Sequence, residues 1–193
     1  MQLKTIIFPN GIEHLIIRKS KMNAQQLYDC IIKPTHLYMG GNYESKNANF
    51  LSLCTAAIES NCGYYIKQVG GPALGVWQME PVTHDDIFAN CDAMQDCDND
   101  MSHFKYKALQ LSTTYNMDED FEAVQSDLID SPKYACAMAR LKYSMDKAPL
   151  PDHNDIKAVY DYYKRIYNTP LGASTYEKFQ SALANNQIMD VEL

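Results

Sequence analysis

Residues 57–83 read AIESNCGYYIKQVGGPALGVWQMEPVT, an apolar helix exit at Ala57-Ile58-Glu59-Ser60 followed by a glycine- and aromatic-rich stretch closing on Gly75-Val76-Trp77-Gln78-Met79-Glu80-Pro81. Upstream, Ser45 is placed to cap a helix from about Lys46 to Ser60, with Phe50, Leu53, Cys54, Ala57 and Ile58 as its apolar stripe. Glu59 therefore stands where a buried helix leaves the core, a position that raises a carboxyl pKa because desolvation disfavours the ionised form. Such a group stays protonated near neutral pH and can give its proton to a leaving oxygen. A Glu-Ser pair alone equally suits a frayed helix end on the surface. Between Asn61 and Pro81 the glycines alternate with Tyr64, Tyr65, Ile66, Val69, Val76 and Trp77, which predicts a glycine-rich loop or small irregular hairpin between two helices.

Outward from this stretch the chain reads as mainly α (α+β). Residues 3–8 (LKTIIF) and 12–18 (IEHLIIR) flank Pro9, Asn10 and Gly11 and predict an N-terminal β-hairpin, so residues 1–22 form a hairpin extension and 23–193 a helical domain. Leu27, Ile31 and Ile32 share the face of a first helix that Pro34 is expected to stop. Thr83 is expected to cap a short helix, and two more follow at roughly 102–115 and 118–129. Ser131-Pro132 opens a helix carrying Tyr134, Ala137, Met138, Leu141 and Met145. Asp152 is expected to open another, with Ile156, Val159, Tyr163 and Ile166 on one face, and a last helix covers about 174–187.

The chain has 193 residues, 46% of them hydrophobic, with 17 Lys+Arg against 24 Asp+Glu and a net charge of −7. One domain's worth of chain with this apolar fraction can bury a substantial core and is not a low-complexity or disordered polymer. The acidic balance argues against nucleic acid as a partner, since little is available to neutralise phosphates. No stretch reaches the ~18 apolar residues of a membrane helix. The apolar run of the first twenty residues is broken by Pro9, Glu13 and His14 with no small-residue cleavage site after it, so no signal peptide is expected. Six cysteines lack zinc-like spacing and read as buried thiols made in a reducing compartment, with disulfides the alternative that their even number leaves open; no metal or cofactor is expected.

The motifs together resemble the goose-type lysozyme and soluble lytic transglycosylase superfamily. Its first motif, a helix ending in Glu-Ser, is similar to Ala57-Ile58-Glu59-Ser60; its second to Gly75-Val76-Trp77-Gln78 with Pro81 and Thr83; its third to Ile166-Tyr167-Asn168, here without the Ala before Tyr or the Gly after Asn. The stretches IESNCGYYIKQVGGPALGVWQMEPVTHDDI, MARLKY and YYKRIYNTPLGAST resemble small phage-encoded relatives of these enzymes over about residues 24–180. The resemblance implies a lysozyme-like fold and cleavage of peptidoglycan glycan between N-acetylmuramic acid and N-acetylglucosamine, with Glu59 as general acid and base. Ser60, Gly75, Trp77, Gln78, Glu80 and Tyr167 are the implied substrate-binding residues.

Each has a physical rationale. Gly75 would let a sugar lie against the backbone, and Gln78 offers both donor and acceptor to an N-acetyl group. Tyr167 is expected to place its hydroxyl on Glu59, while Trp77, Tyr64 and Tyr65 offer apolar faces to sugar rings or else belong to the core. A second carboxylate would separate a hydrolase from a transglycosylase, and Glu80, Asp85 and Asp86 are the candidates, Glu80 foremost. His84 reads as a surface or capping neighbour. The expected setting is a phage virion, or the infected host cytoplasm with access to the periplasm, with peptidoglycan and other virion proteins as partners. The competing expectation is a virion structural or host-interaction protein that keeps the lysozyme-like fold without turnover.

Overall fold

The computed structural model describes residues 22–95, 104–113, 125–169 and 172–193, together with the backbone of a two-stranded ladder near the N-terminus. In that ladder β1 (Lys4–Ile7) runs antiparallel to β2 (Glu13–Ile16), Lys4 opposite Ile16 and Ile7 opposite Glu13. The turn residues Pro9, Asn10 and Gly11 lie outside the described residues, as does Cys97. From Met22 onward the described chain is mainly helical, and none of its helices is long and apolar enough to cross a membrane.

The first helix is longer than Pro34 predicts. Helix α1 (Ala24–Leu27) passes through a wide turn at Tyr28–Ile32 into α2 (Lys33–Met39) without a break. In that turn the Lys33 amide reaches back five residues to the Tyr28 carbonyl, opening the backbone where the ring of Pro34 would otherwise press on the preceding turn.

Helix α3 (Lys46–Ser60) is the central element, capped by Ser45, whose hydroxyl accepts from the Ala48 amide at 3.1 Å. It is buried around its whole circumference and not along a stripe alone, since Phe50, Leu51, Leu53, Cys54, Ala56 and Ala57 are all core residues. Its polar positions are satisfied internally. Asn49 bonds the fully buried His36 at 2.7 Å, Thr55 bonds the Tyr143 hydroxyl at 2.7 Å, and the Ser52 carbonyl accepts from the Trp77 indole at 3.0 Å. Left-handed backbone at Asn61, Cys62 and Gly63 then stops the helix, and the Cys62 amide closes on the Ala56 carbonyl at 2.9 Å.

Around α3 pack α8 (Pro132–Ser144), α9 (Ile156–Tyr163) and α10 (Tyr176–Asn185). Ser131 caps α8 through the Tyr134 amide, as its Ser-Pro start predicts. Asp155, not Asp152, caps α9, accepting from Ala158, and Thr175 caps α10. Helix α9 runs on into a second wide turn at Lys164–Asn168. Helix α4 (Pro81–Asn90) starts two residues before Thr83, because Pro81 needs no amide partner and the Glu80 carbonyl takes the amides of Thr83 and His84. Of the short helices α5 (Asp92–Gln95), α6 (Phe104–Gln110) and α7 (Asp127–Asp130), the last two pack on α8 and α5 packs against α4 and α6. The helix expected at 102–115 is thus shorter, and most of that expected at 118–129 falls outside the described residues. Cys54, Cys62, Cys91 and Cys136 are buried, whereas Cys30 is exposed.

Candidate active site

Glu59 is part-buried on the last turn of α3 and forms a wall of two cavities. One, of about 520 Å³, is lined by Gln78, Met79, Glu80, Lys142, Tyr167 and Asn168 among others. The other, of about 730 Å³, lies between Tyr65 and the Glu177, Lys178 and Ser181 side of α10. The Tyr163 hydroxyl donates to Glu59 Oε1 at 2.6 Å. Burial nevertheless holds the Glu59 carboxyl above the usual range, opposed by hydrogen bonds from Tyr163 and Asn168 that favour the ionised form. A carboxyl with these neighbours can release a proton to a ligand and be stabilised as the anion it becomes.

The tyrosine that meets Glu59 is therefore Tyr163 and not Tyr167. Four residues apart at the end of α9, both face the same way, but the Tyr167 hydroxyl donates to the Trp77 carbonyl at 2.9 Å and fixes the loop instead. Tyr167 still lines the smaller cavity. Tyr143, whose ring packs on that of Tyr167 in the aromatic block, is engaged by Thr55.

Gln78 and Glu80 line the smaller cavity as the sequence suggests. Gln78 adopts a left-handed φ of 45°, and its amide donates to the carbonyls of Gly75 at 2.8 Å and Tyr65 at 3.3 Å, leaving Oε1 as the acceptor for a ligand. Glu80 is exposed at the mouth. Three other sequence-predicted residues serve the scaffold. Trp77 is 0% exposed, its ring in the core and its N–H on Ser52, so it offers no face to a sugar. Ser60 is buried; its hydroxyl accepts from the Gly63 amide at 2.8 Å and lies against the carbonyls of Ala56 and Val76, stitching the helix end to the loop. Gly75, at φ 73°, backs onto α7, where a Cβ would stand 1.8 Å from the Leu128 carbonyl oxygen. Its missing side chain makes room for protein and not for ligand.

His84 is buried, with its ring nitrogens 2.7 Å from the Tyr134 hydroxyl and 3.0 Å from Asp85, and burial lowers its pKa. The exposed Asp85 is held below its usual range first by the hydrogen bond with His84, and Asp86 lies 3.5 Å from the Lys142 ammonium. Neither carboxylate lines the smaller cavity, which leaves Glu80 as the second carboxylate there among the described residues. Tyr64 and Tyr65 are about half exposed, in edge contact at the rim, 4.7 Å between centroids.

Sequence reading missed Tyr163, Lys142 and the use made of Asn168. Tyr163 had a signal in its spacing to Tyr167, and Asn168 one in its place beside Tyr167 in the third motif. Among the described residues no group of three or more His, Cys, Asp or Glu could hold a metal ion. Comparison of the chain with protein-family models, curated proteins and solved structures gives no match.

Proposed function

We propose that the protein cleaves the glycan strand of bacterial peptidoglycan between N-acetylmuramic acid and N-acetylglucosamine, as a lysozyme-like muramidase or lytic transglycosylase of phage origin, with Glu59 as general acid and then base. The observation that carries this reading is the position of Glu59 between two cavities, with its proton affinity raised by burial and Tyr163 on one oxygen. A polymer threaded past the carboxyl would place sugars on both sides of the bond broken, which an enzyme acting within a chain requires. Oε1 is taken by Tyr163, so Oε2 is the oxygen that delivers the proton to the glycosidic oxygen. The carboxylate left behind then accepts a proton from water, giving a reducing end, or from the sugar's own hydroxyl, giving a 1,6-anhydro end. Among the described residues Glu80 is the one further carboxylate lining the smaller cavity that could hold a water for the first outcome.

The test is digestion of purified peptidoglycan by wild type and Glu59→Gln, with mass spectrometry of the soluble products. Reducing or anhydro muropeptides from wild type, absent from a folded Glu59→Gln variant, support the assignment. Equal release by the two variants overturns it. No release by either selects the second reading, a virion structural or host-interaction protein with a lysozyme-like helical domain, which the N-terminal ladder favours because a two-stranded ribbon can pair with a neighbouring subunit.

A further inference from the structure

The wide turn at Lys164–Asn168 carries a lysine that no part of the proposed reaction uses. Its ammonium donates to Asn168 Oδ1 at 2.7 Å and to the Gly172 carbonyl at 2.6 Å. Asn168 and Gly172 both line the smaller cavity beside Glu59, whereas Lys164 stands behind them. The chain returns on itself here. Thr169 takes a left-handed φ of 64°, the Gly172 amide bonds the Thr169 carbonyl at 3.1 Å, and a Cβ on Gly172 would fall 2.2 Å from Asn168 Oδ1. Asn168 is thus packed against the one residue type that leaves it room.

A primary amide has two ends, and the two orientations do opposite things to a neighbouring carboxyl. An ammonium has only donors, so the end of Asn168 that faces Lys164 must be its oxygen. That leaves Nδ2 as the end turned away from Lys164, beside the cavity whose wall Asn168 shares with Glu59, in keeping with an Asn168 side chain that favours ionised Glu59. The flipped amide would present its oxygen to Glu59 and favour the protonated acid. We propose that Lys164 is a positioning residue for Glu59: by holding Asn168 Oδ1 and the Gly172 carbonyl, it fixes the Asn168 amide with its N–H aimed at the carboxyl and ties the rim at Gly172 to the end of α9. The geometric claim is independent of the reaction; its catalytic purpose rests on the glycan-cleaving reading.

The ionisable groups around Glu59 are Tyr163, Tyr143 and Tyr167 from the aromatic block, Glu80 and Lys142 in the smaller cavity, and Glu177 and Lys178 in the larger. The substitutions below leave all of them in place. The experiment follows the Glu59 carboxyl carbon by NMR through a pH titration of the full chain, in wild type, Lys164→Met, Asn168→Ala, the double variant and Lys164→Arg. Lys164→Met and Asn168→Ala are each expected to move the Glu59 midpoint to higher pH, the double variant no further than Asn168→Ala, and Lys164→Arg is expected to match wild type. An unmoved midpoint in Lys164→Met overturns the proposal. So does an equal shift on adding Lys164→Met to Asn168→Ala, which would mean that bare charge acts and not the amide. Should Lys164→Met not fold, Lys164→Gln keeps a donor for Asn168 without the charge; a midpoint near wild type supports the proposal and a shift as large as that of Asn168→Ala overturns it. These outcomes need no turnover, so a missing wall activity with the expected titrations would sink the glycan-cleaving reading alone.

Discussion

Replacing Gly75 by alanine separates two meanings of the same residue. If Gly75 is a glycine so that a sugar can approach the backbone, Gly75→Ala folds normally and binds substrate poorly. The structure gives it another neighbour: a Cβ there stands 1.8 Å from the Leu128 carbonyl oxygen, against the 3.4 Å at which ordinary contact begins, and Ala135 Cβ is 3.6 Å away. The obstructing atom is backbone of α7 and cannot rotate aside as a long side chain would. An L-residue in the left-handed region costs about 1–2 kcal/mol and overpacking a filled site about 1–3 kcal/mol. Together that is about 2–5 kcal/mol, a large part of a typical folding free energy. At about 2–4 °C per kcal/mol for a domain of this size, the melting temperature should fall by about 4–20 °C. Thermal unfolding followed by circular dichroism measures this directly. A melting temperature within a degree or two of wild type would refute the packing argument and return Gly75 to the ligand.

Three further outcomes are expected. Tyr163→Phe removes a hydrogen bond that favours ionised Glu59, so its carboxyl should titrate at still higher pH by NMR and, on the proposed glycan-cleaving function, wall digestion should slow by about ten-fold or more, the worth of a hydrogen bond to a charged group. Trp77→Phe should lower stability by about 1–2 kcal/mol, through the lost bond to Ser52 and the space left in the core, and spare activity per folded molecule; a selective loss of substrate affinity would contradict its scaffold role. His36, fully buried, has its pKa lowered to about 4 from 6.5, chiefly by burial. The unfolded chain takes up a proton on this side chain that the folded chain refuses, so stability falls as pH drops from 6.5 towards 4, by about 3 kcal/mol in full. Urea unfolding across that window should show a slope shallower in His36→Gln than in wild type, and equal slopes would remove His36 from the account.

The elements that sequence predicts best are those whose signals are local. Ser45 and Ser131 cap the helices that follow them because an N-cap needs only one hydroxyl and an amide two or three residues on. Glu59 was legible for a related reason: an apolar helix that stops at a polar pair must bring its last carboxyl out of the core. Pro34 misled because its local penalty is relieved by a wide turn that tertiary packing stabilises, something no propensity carries. Trp77, Gly75 and Ser60 misled in another way. A glycine, an aromatic ring and a hydroxyl look the same in sequence whether they serve a ligand or an interior contact, and only the positions of Leu128, Ser52 and Val76 decide. Tyr163 and Tyr167 differ by one helical turn, too small a difference for spacing to rank them.

The wide turn at Lys164–Asn168 has a consequence for how this chain can change over generations. Each residue of a regular helix advances the next by about 100°, so deleting one residue there would swing Asn168 round the axis and off Glu59 while leaving every side chain of α9 where it was. Insertions or deletions in those five positions would therefore silence the site without loosening the body of the domain. Descendants of this chain should keep the length of that turn more faithfully than its composition, apart from Lys164, Tyr167 and Asn168.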